Sequence, residues 1–315
     1  MRLQRPASPS FFLLDFELQR PRFFTEQEWL RPGNLAFDFP GRPDPQPETT
    51  RVTQLTARTI ATQQYREAFA LVQRGLQRGD SFLTNLTFPT PIALDADLGT
   101  VYRAVEAKYR VLLPDEFVCF SPETFVTIDP EGYIATSPMK GTAADTPADR
   151  AALLSDPKEI AEHATIVDLL RNDLSQVARG VRVTDYRYLL ATERGGGALV
   201  QTSSDIGGQL PRNWRTTLGA TLLRLLPAGS VSGAPKWATL QLIRQAEGQD
   251  RGYYCGIAGY YDGQRLDTCV LIRYIAHRGG RYFFHSGGGI TARSDWEREY
   301  QEMNAKIRLP LRATQ

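Results

Sequence analysis

A chain of 315 residues, 42% hydrophobic and 23% charged, buries roughly three quarters of its unfolded surface and needs no disulfide or structural metal to hold a core. Its 37 basic and 35 acidic residues leave a formal charge of +2, which offers no basic field for a nucleic-acid backbone. No apolar run reaches the roughly 20 residues of a bilayer span, none reads as a signal peptide, and the cysteines Cys119, Cys255 and Cys269 lack CxxC spacing. A cytoplasmic protein with reduced, buried thiols is expected.

In chain order, residues 11–18 and 34–39 read as short strands, and the Pro40–Pro47 run as an extended connection, because proline fixes φ and forbids a helix. Tyr65, Phe69, Val72 and Leu76 form a helical stripe across 59–78, stopped at Gly79-Asp80, and residues 81–88 then alternate as a strand. A helix is expected over 98–110 and a strand at 117–120. Asp129-Pro130-Glu131-Gly132 is turn chemistry between strands 125–128 and 133–136. Asp156-Pro157-Lys158-Glu159 reads as an N-cap, a proline at the first helical position and a capping-box glutamate. The helix it opens carries an apolar stripe at Ile160, Ala164, Val167, Leu170, Leu174 and Val177. Further helices are expected at 214–226 and 234–247, and strands fill 253–290. A last helix opens at Ser294, with Glu297 completing a capping box, and buries Trp296, Tyr300, Met303 and Ile307. The mixed order of strands and helices, without a βαβ rhythm, predicts one large α+β domain.

Four segments can carry chemistry. Lys140 lies in Thr136-Ser137-Pro138-Met139-Lys140-Gly141-Thr142, where it is either a solvated loop lysine or a nucleophile, which must be neutral to attack. Glu159 and Glu162 are three apart on one helix, and Glu299 and Glu302 repeat that spacing on the last helix, with Lys306 four residues on. Each pair alone is ordinary surface charge. Together, two helices presenting Glu-x-x-Glu could hold a hard divalent cation. The segments Gly229–Lys236 and Ser286–Ile290 are glycine-rich, so their backbone can serve as turns or approach an anion closely; neither is a Walker loop.

Taken together, these segments resemble the chorismate-utilising enzymes: component I of anthranilate and aminodeoxychorismate synthases, with isochorismate and salicylate synthases as relatives. The resemblance runs from about Gly79 to Leu309. It includes Asn85-Leu86-Thr87, Ser121-Pro122-Glu123-Thr124-Phe125, Pro138-Met139-Lys140-Gly141-Thr142, Ala161-Glu162-His163, Gly233-Ala234-Pro235-Lys236, Arg251-Gly252-Tyr253-Tyr254-Cys255-Gly256, Ile272-Arg273, Gly287-Gly288-Gly289-Ile290 and Glu299-Tyr300-Gln301-Glu302.

The resemblance implies two mainly antiparallel β-sheets packed face to face, with helices outside. Residues 1–55 would form a truncated N-terminal strand region of the same domain, and 56–315 the chorismate-binding part. It implies Mg²⁺ held directly by Glu162 and Glu302 and through water by Glu159 and Glu299. Chorismate would be bound by Tyr254, Arg273, Lys236 and the amides of Gly287, Gly288 and Gly289. Because residues 1–55 supply only part of the region that longer relatives use to bind tryptophan, control by tryptophan is not expected.

Lys140 separates the members. Aminodeoxychorismate synthases look like Pro-Ile-Lys-Gly-Thr here, where anthranilate, isochorismate and salicylate synthases usually carry alanine. The lysine class is thought to attack C2 and expel the C4 hydroxyl, after which ammonia enters at C4. Leu83 stands where isochorismate-type enzymes place a water-activating lysine, so a base for hydroxylation is absent. Gln201 stands where the family's general-acid histidine is usual. An amide cannot protonate a leaving group, which leaves Mg²⁺-bound water or Thr142 for that role. No cysteine lies on the Gly-x-Cys-x-Gly turn of a class I glutaminase, so ammonia is expected from a separate glutaminase subunit. The leading expectation is aminodeoxychorismate synthase component I, an amino-group transfer serving 4-aminobenzoate and folate synthesis. Anthranilate synthase component I, which shares Asp267-Thr268-Cys269, and a silent chorismate- or glutaminase-binding relative stay open.

Overall fold

The computed structural model describes residues 9–31, 33–44, 54–194 and 197–312. Its described strands form two antiparallel sheets. One runs Met139–Ala144, Gly197–Gln209, Tyr133–Thr136, Thr124–Ile128, Leu266–Val270, Ile257–Tyr261, Ser10–Leu14, Arg22–Thr25, with Arg179–Arg194 also paired to Gly197–Gln209. The other runs Gly233–Ala234, Leu83–Leu94, Arg281–Ile290, Tyr274–Arg278, Phe117–Ser121, Tyr109–Leu113, Ala36–Asp38, with Leu55–Ala57 against Leu83–Leu94. The α+β class with two antiparallel sheets follows the expectation.

Strand periodicity explains the layering. In Phe117–Ser121, which is buried throughout, Phe117 and Cys119 join the core that contains Phe11, Leu13, Ile257 and Cys269 of the opposite sheet. Val118 and Phe120 point the other way, into a cluster with Val101 and Tyr102 of the helix Leu98–Ala104. Side chains alternate across a strand, so one strand serves two cores. A third cluster packs Leu86, Phe88 and Ile290 under the helices Thr62–Arg78, Lys236–Glu247 and Trp296–Ala305. Ile166, Val167, Leu170 and Leu174 of the helix Pro157–Ser175 pack with Ile206 and Leu210 of the first sheet.

Several expected elements are shorter or differently bounded. The first strand stops at Leu14, because the Asp15 carboxylate accepts the Gln19 and Arg20 amides at 3.0 and 2.6 Å and turns the chain. The 34–39 strand covers Ala36–Asp38, and the extended connection is described only to Asp44; Pro45 to Pro47 lie outside the described residues. The helix expected over 98–110 ends at Ala104, and Tyr109–Leu113 is a buried strand. Lys108 and Tyr109 both bond Thr124 at 2.7 Å, which draws this segment to the sheets. Asp156 caps its helix by accepting the Lys158 amide at 2.8 Å, as expected. That helix, however, exposes Ile160 and Ala164 and buries His163, Ile166, Leu169 and Asp173. The last helix is capped by Asp295, and Ser294 instead accepts the Thr291 amide at 3.2 Å.

Candidate active site

Lys140 sits on the strand Met139–Ala144, whose register against Gly197–Gln209 slips between Lys140 and Thr142. Gly141, at φ +67°, makes the bulge. It also gives a carboxylate room: a Cβ there would lie 2.7 Å from Glu159 Oε2 and 2.6 Å from Leu153 Cδ1. The bulge sends Lys140 Nζ to 3.8 Å from Glu162 Oε2, while Lys158 Nζ stands 3.6 Å from Glu162 Oε1.

The glycine strand closes the other side. A Cβ on Gly289 would lie 3.1 Å from Leu83 Cδ1 and 3.9 Å from Lys140 Nζ, and one on Gly288 would lie 3.3 Å from Glu299 Oε2. Lys140, Leu83, Glu159, Glu162, Glu299 and the glycines therefore share one cleft. Lys306 ties the last helix to it, donating to the Gly287 carbonyl at 2.8 Å while pairing with Glu302 at 2.8 Å.

Backbone direction makes the glycines useful. The neighbouring strand Tyr274–Arg278 ends where Tyr274 pairs with His285, so beyond it the glycines pair only with Leu83–Leu94 among the described residues. In an antiparallel ladder a residue's N–H and C=O point the same way. Gly287 turns its carbonyl to Lys306, so its N–H, and that of Gly289 two residues on, also face the unpaired side. Those amides are available to a carboxylate. Arg273, held at φ +53°, donates to the Lys306 carbonyl at 2.9 Å, and buried Tyr254 packs 4.9 Å from the His285 ring.

Charge in the cleft is nearly balanced. Burial first, then Glu162, pushes the Glu159 carboxyl up, and burial first, then Glu302, does the same to Glu299. Glu302 is held down: burial works against ionisation, but Lys306, with help from Lys140 and Lys158, outweighs it. Lys158 keeps its proton more firmly than usual, since Glu162, Glu299, Glu302 and Glu159 together outweigh its burial. Among the described residues no three His, Cys, Asp or Glu side chains converge tightly enough to hold a metal ion. The donors are nonetheless the hard carboxylate oxygens a divalent cation takes: Glu162 acts on Glu159 of its own helix and on Glu299 of the last helix, and Lys140 and Lys158 stand 3.8 and 3.6 Å from Glu162.

Two candidates are engaged elsewhere or differently. Lys236 donates to the Leu225 carbonyl at 2.6 Å and pairs with Asp173 at 3.0 Å, contacts that fasten its own helix and not the cleft. Thr142 accepts a hydrogen bond from Gln201 Nε2 at 2.9 Å, leaving its own proton to donate.

Three further groups were not singled out from sequence. Glu123 accepts from Ser230 Oγ at 2.5 Å, and burial pushes its carboxyl up against the opposing pull of Ser230 and Lys140. It is a protonated-carboxyl candidate within electrostatic reach of Lys140, and the Ser-Pro-Glu-Thr-Phe run held the signal. His163, fully buried, bonds Ser204 Oγ at 2.7 Å and faces Thr202 Oγ1 at 3.4 Å. Thr202 in turn donates to the Lys140 carbonyl at 2.5 Å. Burial foremost, then Arg187 and Lys140, lowers the His163 pKa to about 4, so it is neutral at pH 7. Lys306 was visible only as the partner of Glu302.

Known proteins resemble this chain over most of its length. The family profile described as chorismate binding enzyme matches residues 17–312. An uncharacterised PabA-like protein of Haemophilus influenzae is 44% identical over 314 residues, covering 98% of this chain and 94% of its own. Anthranilate synthase component 1 of Acetivibrio thermocellus is 39% identical over 163 residues, 51% of this chain and 32% of its own. Anthranilate synthase component I of Streptococcus pneumoniae superposes with a TM-score of 0.68 at 26% identity, over 84% of this chain and 60% of that one. A 2,3-dihydroxybenzoate-specific isochorismate synthase of Bacillus anthracis shares the fold, with a TM-score of 0.71 at 18% identity over 95% of this chain and 82% of that one. With the profile spanning residues 17–312 and a relative 44% identical over nearly the whole chain, this protein belongs to the chorismate-binding enzyme family.

Proposed function

We propose that this chorismate-utilising enzyme is the synthase component that makes 4-amino-4-deoxychorismate from chorismate and ammonia. The observation that carries the reading is Lys140, whose amine projects into the cleft between Glu162 and Gly289 with apolar Leu83 beside it. Arg273 and the Gly287 and Gly289 amides suit the two carboxylates of chorismate, an arginine fork matching one of them bidentately.

The Lys140 amine would add to C2 of the ring. Both ring double bonds shift, the C4 hydroxyl leaves as water with a proton donated by Glu123, and the Lys140 nitrogen becomes a secondary ammonium. Ammonia then adds at C4, both double bonds return, and the C2–nitrogen bond breaks to release neutral Lys140, while the new C4 ammonium gives up through solvent the proton that Glu123 regains. A displacement through an internal nucleophile divides one difficult substitution into two easier ones. Glu123 is the candidate for that proton, since burial pushes its carboxyl up and it lies within electrostatic reach of Lys140, whereas the Gln201 amide has no proton to give. Mg²⁺, when bound, would be held by Glu162 and Glu302 with Glu159 and Glu299 behind, and would polarise the substrate as a Lewis acid.

The ammonia source in this reading is a separate class I glutaminase subunit. Cys119, Cys255 and Cys269 are all buried, and burial raises their thiols, Cys255 to about 12. None is poised as a glutaminase nucleophile. Anthranilate formation is the second reading, favoured by the identity to anthranilate synthase component 1 over half the chain. Asp267, part of the shared Asp-Thr-Cys run, accepts from Tyr109 at 2.9 Å, a packing role that does not separate the two.

The test is a product assay with chorismate, Mg²⁺ and excess ammonium. 4-Aminobenzoate that forms only when aminodeoxychorismate lyase is added supports the proposal. Anthranilate formed without lyase overturns it.

A further inference from the structure

Lys158 is in an unusual place for a lysine. It occupies the first turn of the helix Pro157–Ser175, where the helix dipole disfavours a cation, so helix stability does not account for it. Its backbone amide is fixed by the Asp156 carboxylate at 2.8 Å, while its side chain is 57% exposed. The ammonium leans 3.6 Å from Glu162 Oε1, beyond hydrogen-bond length, whereas Lys306 holds Glu302 at 2.8 Å. The two oxygens of Glu162 thus each face a lysine. Lys140 is anchored on the strand bulge with its side chain 29% exposed, and Lys158 is free to swing into water.

We propose that Lys158 is the resident counter-cation of the four-glutamate cluster, occupying the ground a divalent metal takes and setting the metal's affinity by competition. The inference rests on the reading of Glu159, Glu162, Glu299 and Glu302 as the metal site. Before metal binds, Lys158 offsets part of the negative charge at Glu162. When metal arrives, the loosely held, mostly exposed side chain leaves with little loss of contact, and the divalent ion takes over the charge that Lys158 had balanced.

The test is direct metal binding to the purified full chain, by calorimetry with Mg²⁺ and by the spin-resonance signal of free Mn²⁺. The proteins are wild type, Lys158→Gln, Lys158→Arg and Glu162→Gln. Removing one competing positive charge next to a doubly charged ion should tighten Lys158→Gln by about tenfold. Lys158→Arg should bind like wild type, and Glu162→Gln should bind far more weakly. Metal-free Lys158→Gln should also melt below wild type and regain the difference on adding Mg²⁺. If wild type and Glu162→Gln behave as stated but Lys158→Gln binds no tighter, the counter-cation role is overturned and the metal site stands. If neither wild type nor Lys158→Gln binds either ion, the metal-site reading fails and this inference falls with it.

Discussion

Replacing Arg251 with methionine should destabilise the protein by about 3–5 kcal/mol, the range for breaking a buried ion pair on one side. Arg251 and Glu247 are each 2% exposed and meet at 2.6 Å. The guanidinium also donates to the Val231 and Asn85 carbonyls at 2.7 and 2.6 Å. Its loss removes a partner from the Asn85 carbonyl, leaves the Val231 carbonyl to the Asn85 side-chain amide at 3.1 Å, and leaves the Glu247 carboxylate with the Thr87 amide and hydroxyl, at 2.8 and 3.0 Å. A chain of this length has an unfolding entropy of about 0.7 kcal/mol/K, so the melting temperature should fall by about 5–8 °C. Removing both charges, in Arg251→Met with Glu247→Leu, should recover part of the loss, since no buried charge is then unpaired. Urea denaturation and calorimetry of the two single variants and the double variant are the assay. A single substitution that costs under about 1 kcal/mol, or a double variant weaker than the two singles combined, would refute the reasoning.

Glu123→Gln should lower kcat by about 10²–10⁴, with chorismate affinity within a few-fold of wild type; unchanged turnover would remove Glu123 as the proton donor. Gly141→Ala should cost about 1–2 kcal/mol for the left-handed backbone and push Glu159 aside, lowering kcat at least about tenfold; full activity would mean the bulge does not position Lys140. His285 is buried with Nε2 unpartnered, and burial, then Arg278 and Arg251, lowers its pKa to about 3. An unfolded histidine titrates near about 6.5, so the unfolded state takes up the proton first. Stability is therefore full above that pH and falls, at about 1.4 kcal/mol per unit for this group, as pH drops toward 3. His163 contributes in the same direction down to about 4. Urea titrations from pH 7 to 5 should show a shallower slope for His285→Phe, and an unchanged slope would contradict the assignment.

Local signals in the sequence were reliable where one residue settles a conformation. Asp156 before Pro157 placed a helix start, and Asp129 to Gly132 placed a hairpin between strands that pair as expected. The two glutamate pairs and Lys140 were visible as spacings carried within single elements, and the fold sets the Lys140 strand against the first acidic helix and the glycine strand against the last one. Periodicity failed where a polar residue is buried by its partners. His163 took the inward face that the stripe assigned to Ile160 and Ala164, because Ser204 and Thr202, far along the chain, satisfy its ring. Lys306 was legible as the partner of Glu302, but its bond to Gly287, the approach of Lys158 to Glu162 and the burial of Glu123 were not. These depend on which carboxylate, carbonyl or hydroxyl the folded chain sets against each side chain, and no spacing rule carries that. Lys236, which the resemblance implies as a chorismate ligand, pairs with Asp173 from another helix, a partner that no local spacing announces.

The central claim is that Lys140 becomes covalently joined to the substrate ring, and intact-mass spectrometry tests it most directly. The protein is mixed with chorismate and Mg²⁺ without ammonia, quenched in acid, and digested to locate any modification. The account predicts an adduct of chorismate less one water on the peptide containing Lys140, discharged by adding ammonium and absent from Lys140→Ala. A Lys140→Ala variant that forms 4-amino-4-deoxychorismate at the wild-type rate, or a competent wild type that never carries the adduct on Lys140, would contradict it.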